Sequence, residues 1–225
     1  MDGNAFEVYT KQVKATTTVD LPGAGKRWIV GMSGASGAPY GITIVQSLLS
    51  QGFTVHLLVT EAGWRVLKEE QGWDATRRPA TLEEHFGGYP GKLKHHPMSD
   101  IGAGIASGSF RTEGMVIVPC SMGTLAAVAN GLSDNLLERA ADVMLKEARP
   151  LLLVPRETPL HAVHLENMLK LTQLGARLIP AMPAFYHGPQ SLQDMVNFMA
   201  GKVLDAMRVE HELYRRWGAT EDETT

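Results

Sequence analysis

The sequence predicts an α/β protein built on a doubly wound, mainly parallel sheet with helices on both faces. Three observations carry that prediction. Short, almost wholly apolar runs alternate with longer segments of helical period, the pattern of repeated βαβ units. The runs are too uniformly apolar for a sheet with one wet face, so both faces must be covered. The first run, residues 28–32 (WIVGM), passes straight into a glycine-rich loop, Gly31 to Gly37, that opens a helix. Together these features describe a Rossmann-like (flavodoxin-like) architecture.

After the first strand, Pro39 stands in the first turn of a helix whose apolar stripe includes Ile44, Val45, Leu48 and Leu49. Proline is tolerated there because the amide it lacks would have no helical partner. Gly52 closes that helix, and residues 54–59 (TVHLLV) read as the second strand. A helix follows through Glu70. Residues 72–97 are rich in Gly, Pro, His and charge, and read as a surface excursion. The third strand is 115–118, followed by helices over about 123–130 and 135–148. Residues 151–154 (LLLV) form a fully buried strand, 159–174 a helix, 176–179 a strand and 191–207 the last long helix. No internal repeat is found.

A chain of 225 residues makes one domain, or one domain with an oligomerisation arm. The expected division is a flexible polar tail over 1–25, a ligand-binding domain over 26–207 and a C-terminal arm over 208–225, acidic and frayed after Gly218. The tail lacks the apolar core of a secretory signal, and no stretch reads as membrane-spanning or membrane-surface. An apolar content of 44% excludes a disordered chain, and a net charge of -3 offers no basic field for nucleic acid. Cys120 is the single cysteine, which excludes an intramolecular disulfide and a multi-cysteine metal cluster. A reducing, cytoplasmic compartment is expected.

In such a sheet, ligands collect beyond the carboxyl ends of the strands. The segments there are 33–37 (SGASG), Thr60 with Glu61, 119–124 (PCSMGT), 155–158 (PRET) and 180–186 (PAMPAFY), and small or hydroxyl residues dominate three of them. The spacing Gly31-x-x-Gly34-x-x-Gly37 is not the dinucleotide fingerprint, and the Gly-Lys-Ser/Thr of a P-loop is missing. Its physical content is a tight turn aimed at a helix start, where free N–H groups favour an anion or a polar ring edge. Alone, the loop leaves a bare turn, a nicotinamide nucleotide and another nucleotide-like ligand open. Glu61 suits a ribose, and Thr60 equally suits a phosphate or a ribityl hydroxyl.

Arg139, Asp142 and Lys146 share a helical face, which by itself reads as a solvated ion-pair stripe. Arg156 and Glu157 follow directly on a buried strand between Pro155 and Pro159, where a guanidinium offers a rigid fork for phosphate. His161 and His164 are one turn apart near Glu166, but zinc wants three or four protein ligands, so no metal is expected. Cys120 has no readable His/Asn partner pattern and is taken as a small buried hydrophobe.

The strand-end segments resemble one family, the UbiX-type flavin prenyltransferases. The resemblance is carried by residues 31–37 (GMSGASG), 119–124 (PCSMGT), 135–142 (NLLERAAD), 145–147 (LKE), 154–161 (VPRETPLH), 164–168 (HLENM) and 183–186 (PAFY). It runs from about Trp28 to Trp217. It implies that the protein binds reduced FMN and joins to it a dimethylallyl group from dimethylallyl phosphate, closing a further ring across N5 and C6. The prenylated FMN is then used by a separate UbiD-type decarboxylase. By this resemblance Gly34, Ala35, Ser36, Thr60, Ser121, Met122, Gly123, Thr124 and Arg156 line the FMN site, with Thr60 standing where serine is common. Arg139, Lys146, Tyr186 and Lys202 hold the donor phosphate. Ser36, Glu70, Lys146, Glu157 and Trp217 are the expected catalytic residues. Lys202 departs from the usual arginine, keeping the charge and losing the bidentate fork. The family also implies a homo-oligomer, often a dodecamer built from trimers, with active sites at subunit contacts.

Such a transfer needs no metal, because a cluster of cations can stabilise the departing phosphate in a dry site. Phe185, Tyr186 and Trp217 would present π faces to the positive charge on the prenyl chain. Ring closure needs a base, for which Glu157 and the departing phosphate are both candidates. Two rival readings remain. A flavin-dependent decarboxylase of the cysteine-decarboxylase type would be expected to show a Pro-Ala-Ser-Ala-Asn type segment in place of 119–124. A non-catalytic FMN carrier would have no need of Arg139, Lys146 and Lys202.

Overall fold

The computed structural model describes residues 21–216. Residues 1–20 of the expected tail, and Trp217 with the rest of the C-terminal arm, lie outside the described residues. In chain order the elements are β1 (Arg27–Met32), α1 (Ala38–Ser50), β2 (Thr54–Val59), α2 (Glu61–Gln71), α3 (Arg78–Phe86) and β3 (Lys92–His96). They continue with β4 (Gly114–Cys120), α4 (Met122–Ala129), α5 (Leu136–Lys146), β5 (Leu151–Pro155), α6 (Ala162–Gln173), β6 (Arg177–Leu178) and α7 (Leu192–Met207). A single 3-10 turn, Gly104–Ala106, precedes β4.

The strands form one sheet in the order β3-β2-β1-β4-β5-β6, parallel throughout. The chain winds outward from β1 through β2 to β3, then returns to the other side of β1 and winds outward again. The reversal falls between β1 and β4, whose following helices cover opposite faces, the switch point beyond which a doubly wound sheet forms its crevice. One apolar core lies under α1, α2, α3 and α7, and a second under α4, α5 and α6 on the opposite face. The sheet is therefore doubly wound, as the apolar runs predict.

Local chemistry explains the elements. In β1 every residue from Trp28 onward is buried, and β5 is buried along its whole length. That is the signature of strands covered on both faces. Gly37 precedes α1 at φ 119°, a left-handed conformation that glycine adopts without a Cβ penalty. Pro39 follows in the first turn, and Ile44, Val45, Leu48 and Leu49 form the buried stripe. Helix α7 opens on a capping box: Ser191 Oγ accepts from Asp194 N at 3.1 Å, and Asp194 accepts from Ser191 N at 2.9 Å.

The segment 72–97 is not an irregular excursion. It holds α3 and β3, anchored by Trp73, Leu82 and Phe86 in the core. Trp73 stacks on His85 at 4.3 Å between ring centroids. Strand β3 (KLKHH) pairs with β2 along one side only, so its outer positions carry lysine and histidine and its apolar signal is weak. There His96 Nε2 meets the Nδ1 of buried His56 on β2 at 2.8 Å, the rings stacked within 14°. The predicted helix over 159–174 starts only at Ala162, because residues 156–161 leave β5 as an open loop.

Candidate active site

The loops leaving β1 and β4 are tied together at the switch point by Ser33. Its backbone N–H donates to Pro119 O at 3.0 Å, and its Oγ donates to the same carbonyl at 3.1 Å. The same Oγ accepts from Ser121 N at 2.8 Å, and the side chain is buried. Ala35, buried beside it, donates its N–H to Ser33 O. Gly34 lies flat on the first turn of α2, where a Cβ would come within 2.5 Å of Ala62 Cβ. The loop therefore has one shape, set by its neighbours on both sides.

Three further strand ends converge on it. Thr60 caps α2, its Oγ1 accepting from Gly63 N at 2.9 Å while its N–H donates to Met32 O. Ser121 caps α4, accepting from Thr124 N at 3.3 Å and donating to Thr124 Oγ1 at 3.1 Å. At Gly123 a Cβ would meet nothing within 4 Å, so the start of α4 faces open space. Arg156 reaches across from the end of β5: its N–H donates to Cys120 O at 3.3 Å, and its Nε to Ser36 O at 3.4 Å. The structure thus brings together Gly34, Ala35, Ser36, Thr60, Ser121, Met122, Gly123, Thr124 and Arg156 around one crevice. Two threonine hydroxyls, a serine, an open helix start and a partly free guanidinium are a donor set for a phosphate and for a polar ring edge.

Glu70 occupies a position that the sequence leaves to a ligand. From the last turn of α2 its carboxylate accepts from Gly37 N at 3.1 Å and Ala38 N at 2.9 Å. The N-terminus of α1 is thereby held by the chain's own carboxylate. Burial first, and then this carboxylate, push the Tyr40 phenol above its usual range.

Tyr186, in the segment after β6, sets its ring against Phe198 of α7 at 5.6 Å. Lys202 is exposed one turn further along that helix, and Glu157 is exposed next to Arg156. The expected donor cations on α5 do not join this group. Arg139 pairs with Asp142 at 2.8 Å and donates to Ala106 O, whereas Lys146 pairs with Glu147 rather than with Asp142. Lys146 closes α5 just ahead of the start of β5, at the sheet edge opposite the crevice.

Cys120 is buried, and burial pushes its thiol well above the usual range, so it is no nucleophile. His161 and His164 stack at 3.5 Å, and among the described residues no three His, Cys, Asp or Glu are grouped as a metal site would need. Ser33 escapes sequence reasoning: it sits in the glycine loop beside Ser36, and nothing in the sequence tells a buried serine from an exposed one.

The chain matches the family model described as Flavoprotein over residues 18–204. It is 57% identical over 189 residues to the flavin prenyltransferase UbiX of Alkalihalophilus pseudofirmus, covering 84% of this chain and 94% of that protein. The crystal structure of AnUbiX in complex with FMN and dimethylallyl pyrophosphate superposes with a TM-score of 0.78 at 38% identity, over 87% of this chain and 99% of that one. The dodecameric FMN-dependent UbiX-like decarboxylase of Escherichia coli O157:H7 gives a TM-score of 0.77 at 41% identity, over 86% and 100% of the two chains. A chain with this crevice, matched over nearly the whole length of such relatives, belongs to the flavoprotein family and, within it, to the UbiX-type flavin prenyltransferases.

Proposed function

We propose that the protein transfers a dimethylallyl group from dimethylallyl phosphate to reduced FMN, giving prenylated FMN for a UbiD-type decarboxylase in the cytoplasm. The observation that carries this reading is the crevice at the β1/β4 switch, where Ser33 locks two small-residue loops and Arg156 spans them. The residues fit FMN. Thr60, Thr124 and Arg156 offer donors for its phosphate and ribityl chain, Ser121 fixes Thr124 by donating to its Oγ1, and the loop from Gly34 to Ser36 lets a flat ring approach the backbone closely. When bound, the flavin supplies the nucleophilic atoms N5 and C6.

Tyr186 and Lys202 hold the phosphate of the donor from the α7 side. As the allylic C–O bond breaks, its electron pair leaves with the phosphate, and the surrounding cations stabilise that charge. The new carbon bonds would form to N5, in place of the broken C–O bond, and to C6, at the expense of the prenyl C=C bond; N5 and C6 would each give up a proton, and the other alkene carbon would take one up. Glu157 or the departing phosphate takes the proton from C6, and Glu157→Gln separates the two.

Arg139 and Lys146 complete the phosphate site from a neighbouring copy of the chain. This reading is supported by their place outside the crevice of their own chain and by the bare face of α6. There Val163, Leu165 and Leu169 are 57%, 53% and 59% exposed, while Leu171 is the one buried residue of the helix among those described. Apolar faces of this kind are covered in assemblies.

The test is anaerobic incubation with reduced FMN and dimethylallyl phosphate, followed by mass spectrometry of the released flavin. A mass raised by one dimethylallyl unit is expected. An unchanged flavin with both the monophosphate and the pyrophosphate donor would sink the proposal and leave the FMN-carrier reading.

A further inference from the structure

The chain after α7 folds back on that helix. The C-terminus of α7 lies beside the start of β6, where Arg177 Nη1 donates to Ala206 O at 2.8 Å. It also lies near the end of α1, where Gln51 Nε2 donates to Glu210 O at 3.0 Å. Here, at the sheet edge opposite the crevice, Arg208 adopts φ 59° and Val209 N donates to Leu204 O. The chain then reverses. His211 and Tyr214 cover Gly201 so closely that a Cβ there would come within 2.5 Å of the Tyr214 ring and 2.7 Å of His211. Tyr214 also reaches Phe198, three residues before Gly201 on α7, with ring centroids 5.1 Å apart.

One side chain fastens this return run. Asp205 accepts from the Tyr214 hydroxyl, from His211 Nε2 at 3.1 Å and from Arg216 Nη2 at 2.8 Å. Leu213 N donates to His211 Nδ1 at 3.2 Å, so both ring nitrogens of this buried histidine are committed, Nε2 as donor and Nδ1 as acceptor. Burial works against the Asp205 charge, but the hydrogen bonds from Tyr214 and Arg216 outweigh it and hold the carboxyl below its usual range. Burial and then the Asp205 hydrogen bond push the Tyr214 phenol up to about 12. The pair stays carboxylate and phenol across neutral pH. On its far side Phe198 carries Tyr186, the rings near perpendicular at 86°, and the Tyr186 phenol lies close enough to Tyr214 to help raise it.

We propose that Asp205 is a positioning residue for the donor-phosphate site: it anchors residues 209–216 along α7 so that Tyr214, through Phe198, holds Tyr186 in place. The inference rests on the reading of Tyr186 as a donor-phosphate ligand. Asp205 touches neither flavin nor donor. Its effect must therefore show as a change in donor binding coupled to release of the segment, with the flavin site intact.

The experiment compares wild-type protein with Asp205→Asn, Tyr214→Phe and Gly201→Ala, the last of which pushes the return run off the helix without touching Asp205. In each variant, hydrogen exchange across residues 209–216 should accelerate. The KM for dimethylallyl phosphate should rise on the order of tenfold with kcat changed far less, and FMN affinity should stay within about twofold. The double variant Asp205→Asn/Tyr214→Phe should be less impaired than the two single effects combined, because both act through one contact. Faster exchange with an unchanged donor KM would overturn the proposal, and so would unchanged exchange in Asp205→Asn. A wild-type protein that never alters flavin would instead count against the proposed reaction, so the two failures are told apart.

Discussion

Ser33 Oγ donates to Pro119 O and accepts from Ser121 N, and so sets the distance between the two loops that frame the crevice. Ser33→Ala strands the Ser121 N–H in a buried site, which should cost about 1–3 kcal/mol and weaken FMN binding together with stability. Ser36→Ala, at an exposed position, should leave the melting temperature almost unchanged. Thermal unfolding and flavin-fluorescence titration of the pair check this contrast. Lys146→Ala should lose turnover while keeping FMN, and loss of FMN at that substitution would show its role to be different. Lys202→Arg should retain or improve use of the donor phosphate, read as donor KM. The residue types lining the crevice are legible in the sequence, because glycine, serine, threonine and arginine declare their chemistry wherever they sit. The grip of Glu70 on Gly37 and Ala38 is not legible, since it joins positions 33 and 32 residues apart. Nor is the Asp205 anchor, whose partners are spread through a segment with no periodic pattern.

The central strands are the most legible elements: residues 54–59 are read with the bounds that the structure gives them, and 151–154 falls one residue short. Burial on both faces forces an unbroken apolar run, and such a run has few other readings. Strand β3 is hidden for the converse reason, since an edge strand with one outer side in water is free to be Lys-Leu-Lys-His-His. Its pairing with β2 has a pH signature. Burial first, then His96, Lys94 and Arg27, lower the His56 pKa to about 4, whereas an unfolded histidine titrates near 6.5. Phe110 packs edge-on against the same ring at 5.2 Å. Burial likewise lowers His96, against the pull of Asp100. The folded state refuses a proton that the unfolded state accepts. Stability is therefore complete above about pH 6.5 and is lost progressively as pH falls toward about 4. The urea midpoint should drop over that window, and His56→Leu should flatten the slope. An unchanged slope in His56→Leu would place the acid-sensitive group elsewhere.

At the scale of the whole molecule, the residues proposed to hold the donor phosphate sit on separate elements of a single chain. Arg156 reaches Ser36 at the crevice and Tyr186 packs on Phe198 of α7, while Lys146 pairs with Glu147 at the end of α5. If neighbouring copies complete each other's sites, a mixture of Lys146→Ala and Arg156→Ala chains should recover activity that neither variant has alone. About a quarter of the sites in randomly mixed oligomers would hold both native residues. Absence of recovery after unfolding and refolding the mixture would mean that each site is built within one chain. Leu169→Glu on the exposed face of α6 should lower the oligomer mass in light scattering and reduce turnover with it.

The margins of the sheet constrain how copies can meet. One margin is β3, guarded by Lys92 and Lys94, and the other is β6, two residues long. Neither offers a foreign strand enough bare backbone to dock on. Self-association is thereby steered away from ladder-like growth, which has no natural end, and onto helical faces, whose contacts can close into a particle of finite size.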